Sequence, residues 1–367
     1  MNAAKQSIFR WFDLDDDNER RQYEAIWRSC SVRRPHDHPA TLELMQPKGN
    51  RSAVIVYRHS DLSTVIYPFY YADLNQMPAF AGCAQGIHVT SPYGYGGPVF
   101  EGPQEERADA EQRFTQFFRE ELARRHAVSE FVREDLFREQ LVCRSDGSLL
   151  EQQKNVVVRL NRTPDEIWTQ YKHKVRKNVN KAKSFNLEVV FDDNGKYLDD
   201  FVAIYHETMR RSHAKQGFFI TKESFTHLIE TLGQDDGLMF VHVFRDGTMV
   251  STELLLKSLT TIYSFLGGTL ENVFDMRPND LLKHETILWG NKNGYSHYVL
   301  GGGVYPDDGI FKYKESFDPD GIMPFYVRKV IHQEEVYNDL IQQRMVFEKS
   351  HHREWMPSED YFPGYLS

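Results

Sequence analysis

The sequence predicts an α/β protein with mixed sheets, built as two similar units with a cleft between them. Three observations lead there. The length, 367 residues, suits two domains rather than one. Strand-like runs rich in β-branched and aromatic residues alternate with runs of helical period. The two halves also echo one another. Each has a hairpin (53–70 and 239–256), then a tyrosine-containing segment with a Gly-Gly pair (Gly96-Gly97 and Gly267-Gly268), then a helix and a further strand. The expected domains are 1–150 and 151–345, with a tail over 346–367, and the boundary falls in the polar stretch 145–155.

Composition narrows the function classes. Charged and hydrophobic fractions are those of a globular protein, and 25 Phe and 19 Tyr suit large cores and a ligand groove. A net charge of −9 argues against wholesale coating of nucleic acid but leaves room for a local basic site. Cys30, Cys83 and Cys143 lie far apart, with neither metal spacing nor a disulfide framework, so a reducing cytoplasm is expected. The start of the chain lacks an apolar signal-peptide core, and no window is apolar enough to span a membrane.

In chain order, residues 1–30 read as a polar lead and an amphipathic helix with Tyr23, Ile26 and Trp27 on one face. His36 and His38 precede a proline, lack a third metal ligand, and are read as surface histidines. Residues 51–71 read as a hairpin. The octet Ser91-Pro92-Tyr93-Gly94-Tyr95-Gly96-Gly97-Pro98 offers Tyr93 and Tyr95 either as pocket walls or as packed aromatics in a rigid turn. A helix over 105–125 and strands over 128–132 and 155–160 follow.

The second half opens on a helix start. Thr163 is the N-cap, Pro164 is the first helical residue, and Glu166 completes a capping box. Trp168, Tyr171, Val175, Val179 and Ala182 form its apolar stripe. Its exposed face carries Lys172, Lys174, Arg176, Lys177, Lys181 and Lys183 and no acid, which suits either a phosphate-rich partner or a solvated surface. Then come a strand (187–191), helices (198–211 and 225–232), a hairpin (239–256), a strand (261–266), a loop (269–278), a helix (279–293) closed by Gly294, and a strand (295–300). That strand runs into Gly301-Gly302-Gly303, a Pro-Asp-Asp-Gly turn and Ile310-Phe311-Lys312-Tyr313-Lys314-Glu315-Ser316-Phe317. Read as a final strand, the last run puts Phe311, Tyr313 and Glu315 on one face and Lys312, Lys314 and Ser316 on the other. It is either an edge protected by lysines or a place where Lys314 stabilises negative charge beside Gly301 and Gly302.

The element order of the second half resembles the GNAT acyltransferase fold. Five pieces, 176–182, Thr208-Met209-Arg210-Arg211, Arg277-Pro278-Asn279-Asp280-Leu281-Leu282, 298–302 and Tyr313-Lys314-Glu315-Ser316-Phe317, resemble its FemAB-like branch over most of residues 50–340. That branch has two tandem GNAT-like domains and includes enzymes that move an amino acid from aminoacyl-tRNA to an amine of a peptidoglycan precursor. The resemblance implies an acceptor-side first domain and a donor-side, catalytic second domain. It puts the family's Phe-Lys pair on Tyr313 and Lys314, with Tyr replacing Phe, and an acceptor-phosphate arginine on Arg211.

Attack of an amine on an ester or thioester needs a neutral amine, a held carbonyl and a stabilised oxyanion, but no covalent nucleophile. Glu253, an acid in an apolar strand, is either the base, with its pKa raised by burial, or the partner of a buried cation. His284 is a third candidate, expected on a helix surface. Lys174, Arg176, Lys177 and Lys181 are the expected tRNA or phosphate contacts. The loop before the helix at 279 lacks glycine, and Pro278 removes an amide, so a CoA pyrophosphate is poorly served there. The leading expectation is therefore an aminoacyltransferase acting on a cell-envelope precursor, an amino-sugar or a small metabolite, in peripheral contact with any lipid-linked precursor. The alternatives are an acyl-CoA-dependent N-acyltransferase acting on a nucleotide-linked amino-sugar, and a non-catalytic glycan- or precursor-binding protein. The donor enters as a co-substrate; no metal and no tightly bound cofactor is expected.

Overall fold

The computed structural model describes residues 7–82 and 86–367; the first six residues and Cys83 lie outside it. The elements of the first part are β1 (Ile8–Asp13), α1 (Asp17–Ser29), α2 (Pro39–Leu44), β2 (Arg51–Arg58), β3 (Thr64–Asp73), β4 (Ile87–Thr90), β5 (Val99–Glu101), α3 (Gln104–Arg124), β6 (Ala127–Arg133) and β7 (Ser148–Arg159). Then follow α4 (Pro164–Gln170), α5 (His173–Lys183), β8 (Glu188–Asp192), α6 (Leu198–Arg211), α7 (Lys222–Thr231), β9 (Leu238–Arg245), β10 (Thr248–Lys257), β11 (Thr261–Thr269), α8 (Pro278–Lys292), β12 (His297–Gly301), α9 (Gly309–Glu315), β13 (Ile322–Ile331) and α10 (Glu334–Ser350).

The chain forms two compact units. One holds Met1–Ser31, Met45–Gln152 and Phe325–Ser367; the other holds Val32–Leu44 and Gln153–Pro324. In the first unit the strand order is β1-β2-β3-β4-β6-β13, with β5 paired to β3. Neighbours are antiparallel except β4 and β6, which are parallel. Helix α3 lays Phe114, Phe118 and Leu122 into a core that includes Ile55, Tyr57, Tyr67 and Phe69. In the second unit the order is β8-β9-β10-β11-β12-β7, again antiparallel except for one parallel pair, β11 and β12. Its core joins Val175, Val179 and Ala182 of α5 and Leu281, Leu282 and Ile287 of α8 to the sheet residues Val241, Leu255 and Tyr298. The two ladders therefore share one topology. In each, a helix carries the chain from the third hairpin-side strand to its parallel neighbour, because a parallel connection requires a crossover.

Several expectations are corrected. The stretch 311–315 lies in helix α9, with Ser316 as its C-cap, and is not a strand. The Asp308 carboxylate accepts from Phe311 N at 2.7 Å and from Val304 N and Tyr305 N at 2.8 and 3.1 Å, so the Pro-Asp-Asp-Gly turn is an N-cap. Alternation over six residues could not distinguish the two periods. The helix that begins at the Thr163 capping box ends at Gln170, and a second starts at His173, so the basic face belongs to α5. His36 and His38 are buried rather than exposed. Burial, and then Arg34, lowers the His36 pKa to about 3. Strand β1 went unread in the polar lead. Residues 325–367 pack with the first unit where the sequence reading carries the second domain to 345. β13 is hydrogen-bonded to β6, and Tyr365 of the expected tail is buried, its hydroxyl 2.6 Å from Ser129.

The capping role of Asp308 gives a direct check. Asp308→Ala should lower the urea midpoint, while Asp308→Asn, which still accepts a hydrogen bond, should keep most of it. Equal midpoints for the two variants would contradict the cap.

Candidate active site

In the second unit, β11 and β12 pair only from Thr261 to Tyr263 against His297 to Val299, although β11 runs on to Thr269. Beyond that point the strands part. On its other side, β11 carries a bulge against β10: Leu254 faces Leu266 and Leu255 faces Ser264, which leaves Phe265 as the extra residue. Gly267 and Gly268 lie against Thr252 and Glu253 of β10 and against Thr208 and Ile204 of α6, too close to admit a Cβ. These features open a cavity of about 530 Å³ lined by β10, β11, the ends of α6 and α8, and α9.

A buried polar cluster closes its floor. Lys283 of α8 donates to the Glu253 carboxylate, to Ser264 Oγ at 2.9 Å and to Tyr298 Oη at 3.0 Å. Tyr298 Oη donates to Glu253 Oε2 at 2.7 Å, and Ser264 Oγ donates to Glu253 Oε1. Both Glu253 oxygens are therefore engaged and all three Lys283 protons are used. Of the two readings of Glu253, the structure has the partner of a buried cation, and Lys283 is that cation.

Lys314 and Tyr313 line the same cavity from α9. Lys314 Nζ donates to Gly302 O at 2.6 Å. Burial first, and the nearby Lys283 ammonium second, lower its pKa to about 8. Tyr313 Oη accepts from Asn279 Nδ2 at 3.0 Å, and burial keeps the phenol protonated well above its ordinary range. Arg211 lines the opposite side. It donates to Thr269 O at 3.1 Å, and its guanidinium lies 5.0 Å from the centre of the Phe274 ring. Arg277 enters where α8 begins, in the left-handed region at φ 60°. A non-glycine residue held there is strained, and such strain gathers at functional positions. Arg211 Nη1, 3.8 Å from the Glu207 carboxylate, and Arg277 Nε are buried without a hydrogen-bond partner among the described residues, and both side chains line the cavity.

The other expected residues lie elsewhere. Gly301 (φ 78°) and Gly302 do not line the cavity; Gly302 acts through the carbonyl that holds Lys314. His284 is buried instead of lying on the helix surface. It packs against Trp168 and sits 3.2 Å from Tyr171 Oη, and burial and then Lys183 lower its pKa to about 4. Tyr93 and Tyr95 belong to the first unit, where Tyr95 meets Phe325 edge-on. Lys174 lines a second cavity of about 570 Å³, together with Lys172 and Lys312. Arg176 is spent on the carbonyls of Thr169 and Tyr171 at the end of α4, while Lys177 and Lys181 stay exposed and line neither cavity. Lys283, Asp280, Arg277 and Asn279 were missed as site residues. Their signal was the charged pair 280 and 283 on one helix that also carries the buried apolar 281, 282 and 287. Among the described residues no group is arranged to hold a metal ion, and no helix is long and apolar enough to cross a membrane.

Breaking the buried pair has a sharp signature. Glu253→Leu or Lys283→Met alone should each destabilise the protein by about 3–5 kcal/mol, because an unpaired charge is left in the core. The double variant should recover much of that loss in equilibrium denaturation.

Comparison with known proteins gives the same picture. Residues 169–315 match the family described as acetyltransferase (GNAT) domain. The crystal structure of FemX aligns with a TM-score of 0.64 at 12% identity, covering 87% of this chain and 97% of that one. A conserved protein of unknown function from Bacteroides thetaiotaomicron aligns with a TM-score of 0.54 at 11% identity, covering 89% and 100%. At these identities the likeness is one of fold. No curated protein matches in sequence. Over residues 169–315, then, the chain matches an acyltransferase (GNAT) domain, and it shares the fold of FemX.

Proposed function

We propose that this protein forms amides, moving an aminoacyl group from aminoacyl-tRNA to an amine of a cell-envelope precursor, an amino-sugar or a small metabolite. The observation that carries the choice of donor is the start of α8. A pyrophosphate bound at a helix N-terminus needs free backbone amides and a positive field. Here Pro278 has no N–H and Asp280 places a carboxylate in the first turn, so one amide is missing and a negative charge opposes a CoA pyrophosphate there. The fold likeness to FemX and the exposed lysines of α5 support the same reading. The first unit is read as a second GNAT-like domain, on the acceptor side, and the cytoplasm, where charged tRNA is made, as the site of action.

In this reading the amine attacks the ester carbonyl, and negative charge grows on the carbonyl oxygen. Lys314, held by Gly302 O and still mostly ammonium at neutral pH, meets that charge from a fixed position. Glu253 keeps Lys283 in place, and Asn279 orients Tyr313. Arg211 and Arg277, which line the cavity, offer their guanidinium charge to a phosphate of donor or acceptor. Those same two arginines favour a second reading, an acyl-CoA-dependent N-acyltransferase acting on a nucleotide-linked amino-sugar.

Incubation with radiolabelled aminoacyl-tRNA and a panel of amines should give donor-dependent labelling of an amine. Turnover with acetyl-CoA and none with aminoacyl-tRNA would select the second reading. Binding of a glycan or precursor without turnover of either donor would leave a binding protein. Lys314→Met should lower kcat by about 10²–10³-fold. In the wild-type protein kcat/KM should fall as pH rises through about 8, where Lys314 loses its proton, and Lys314→Arg should abolish that basic limb.

The same lysine has a stability signature. Its folded pKa lies below the unfolded value, so the unfolded chain binds more protons between about 8 and 10.5. The cost of burying the ammonium is thus fully present below pH 8 and relieved as pH rises through that window. Measured against wild type, Lys314→Met should lose this pH-dependent gain in thermal midpoint.

A further inference from the structure

Amide formation releases a proton from the attacking nitrogen, and the groups discussed so far do not accept it. Both Glu253 oxygens are engaged by Lys283, Ser264 and Tyr298. His284 packs against Trp168 and Tyr171 and does not line the cavity. Lys314 donates to a carbonyl. One further carboxylate lines the cavity, that of Asp280.

Asp280 is 5% exposed. Its Oδ1 accepts from Asn178 Nδ2 of α5 at 3.0 Å. It lines the 530 Å³ cavity and also the 570 Å³ cavity that carries Lys172, Lys174 and Lys312. The two cavities share Asp280, Gly309 and Tyr313 as walls, so this carboxylate lies between them. We propose that Asp280 is the general base for the attacking amine, at the junction where donor and acceptor come together. This rests on the acyl-transfer reading above but not on the identity of the donor.

The step balances. The amine nitrogen bonds to the carbonyl carbon and gives one proton to Asp280. The bond from that carbon to the donor's leaving oxygen (sulfur for a thioester) breaks, and the leaving atom takes the proton from Asp280, which restores the carboxylate. Burial favours the protonated acid and raises the Asp280 pKa. The Asn178 hydrogen bond and the charges of Arg277 and Lys174 pull it down, and Tyr313 faces it from α9. Lys283 on the same helix and Glu253 on β10 form an ion pair; Lys314 of α9 and Arg211 of α6 line the first cavity with them, and Lys172, Lys312 and Glu315 line the second. A carboxylate so balanced suits proton transfer near neutral pH better than an exposed one.

The test uses the full chain and whichever donor and amine the wild-type protein turns over. Asp280→Asn should lower kcat by about 10²–10⁴-fold, change KM little, and remove the acid limb of the pH profile. Asn178→Ala, which keeps the carboxylate but removes its hydrogen bond, should move the acid limb of kcat/KM to higher pH. Wild-type kcat and an unchanged acid limb in Asp280→Asn would overturn the assignment. If Asp280→Asn does not fold, an unmoved acid limb in Asn178→Ala would overturn it alone. No turnover by the wild-type protein with any donor would instead bring down the acyl-transfer reading, and this inference with it.

Discussion

Strands β11 and β12 run side by side for three residue pairs and then part, and the site in the second unit depends on that parting. A parallel ladder that continued would close its own hydrogen bonds and leave no space. Where it stops, each strand has a free edge that must be satisfied or covered. The bulge at Phe265 turns β11, two glycines let it lie close to β10 and α6, and Gly301 at φ 78° ends β12. The cavity is thus a consequence of backbone geometry before any catalytic side chain is considered.

The wedge between the strands is filled by charge rather than by hydrocarbon. Glu253, Lys283, Tyr298 and Ser264 satisfy one another's donors and acceptors, which makes a buried polar cluster tolerable in a low-dielectric core. The arrangement contributes little to net stability compared with an apolar core of the same shape. What it supplies is the Lys283 ammonium fixed close to Lys314, an effect larger than the opposing one of the Glu253 carboxylate. That charge, added to burial, lowers the proton affinity of Lys314, so the floor of the cavity sets the electrostatic state of its wall.

The two units repeat one ladder order, and in neither does the chain supply the strands in simple succession. The strand next to β6 is β13, from near the C-terminus, and the strand next to β12 is β7, which precedes the other strands of its unit. Each ladder is therefore finished by a segment distant in sequence from its neighbour. Such pairings have a high loop-closure cost and are recovered only when the whole unit has assembled. This is also why a boundary drawn once along the sequence cannot describe the units: residues 32–44 and 325–367 each belong with a unit remote from their sequence neighbours.

The sequence by itself determined the local elements. The capping box at Thr163, the hairpins, helix α6 and helix α8 with Gly294 behind it were all legible, because caps, turns and periodicity act within a few residues. It also placed Lys314, Tyr313, Arg211 and Glu253, four of the residues that line one cavity. It misread 311–316 as a strand, since six residues carry too little period and the Asp308 cap looked like a turn. It left Glu253 open between base and ion-pair partner, because the deciding residue, Lys283, lies 30 positions away. Asp280, at the start of α8, was legible only as one residue of a family-like motif; tertiary structure put Asn178 against it and made it a wall of two cavities. Local propensity is written into neighbouring residues, whereas pairing, burial and the charge state of a group depend on what the fold brings to it from a distance.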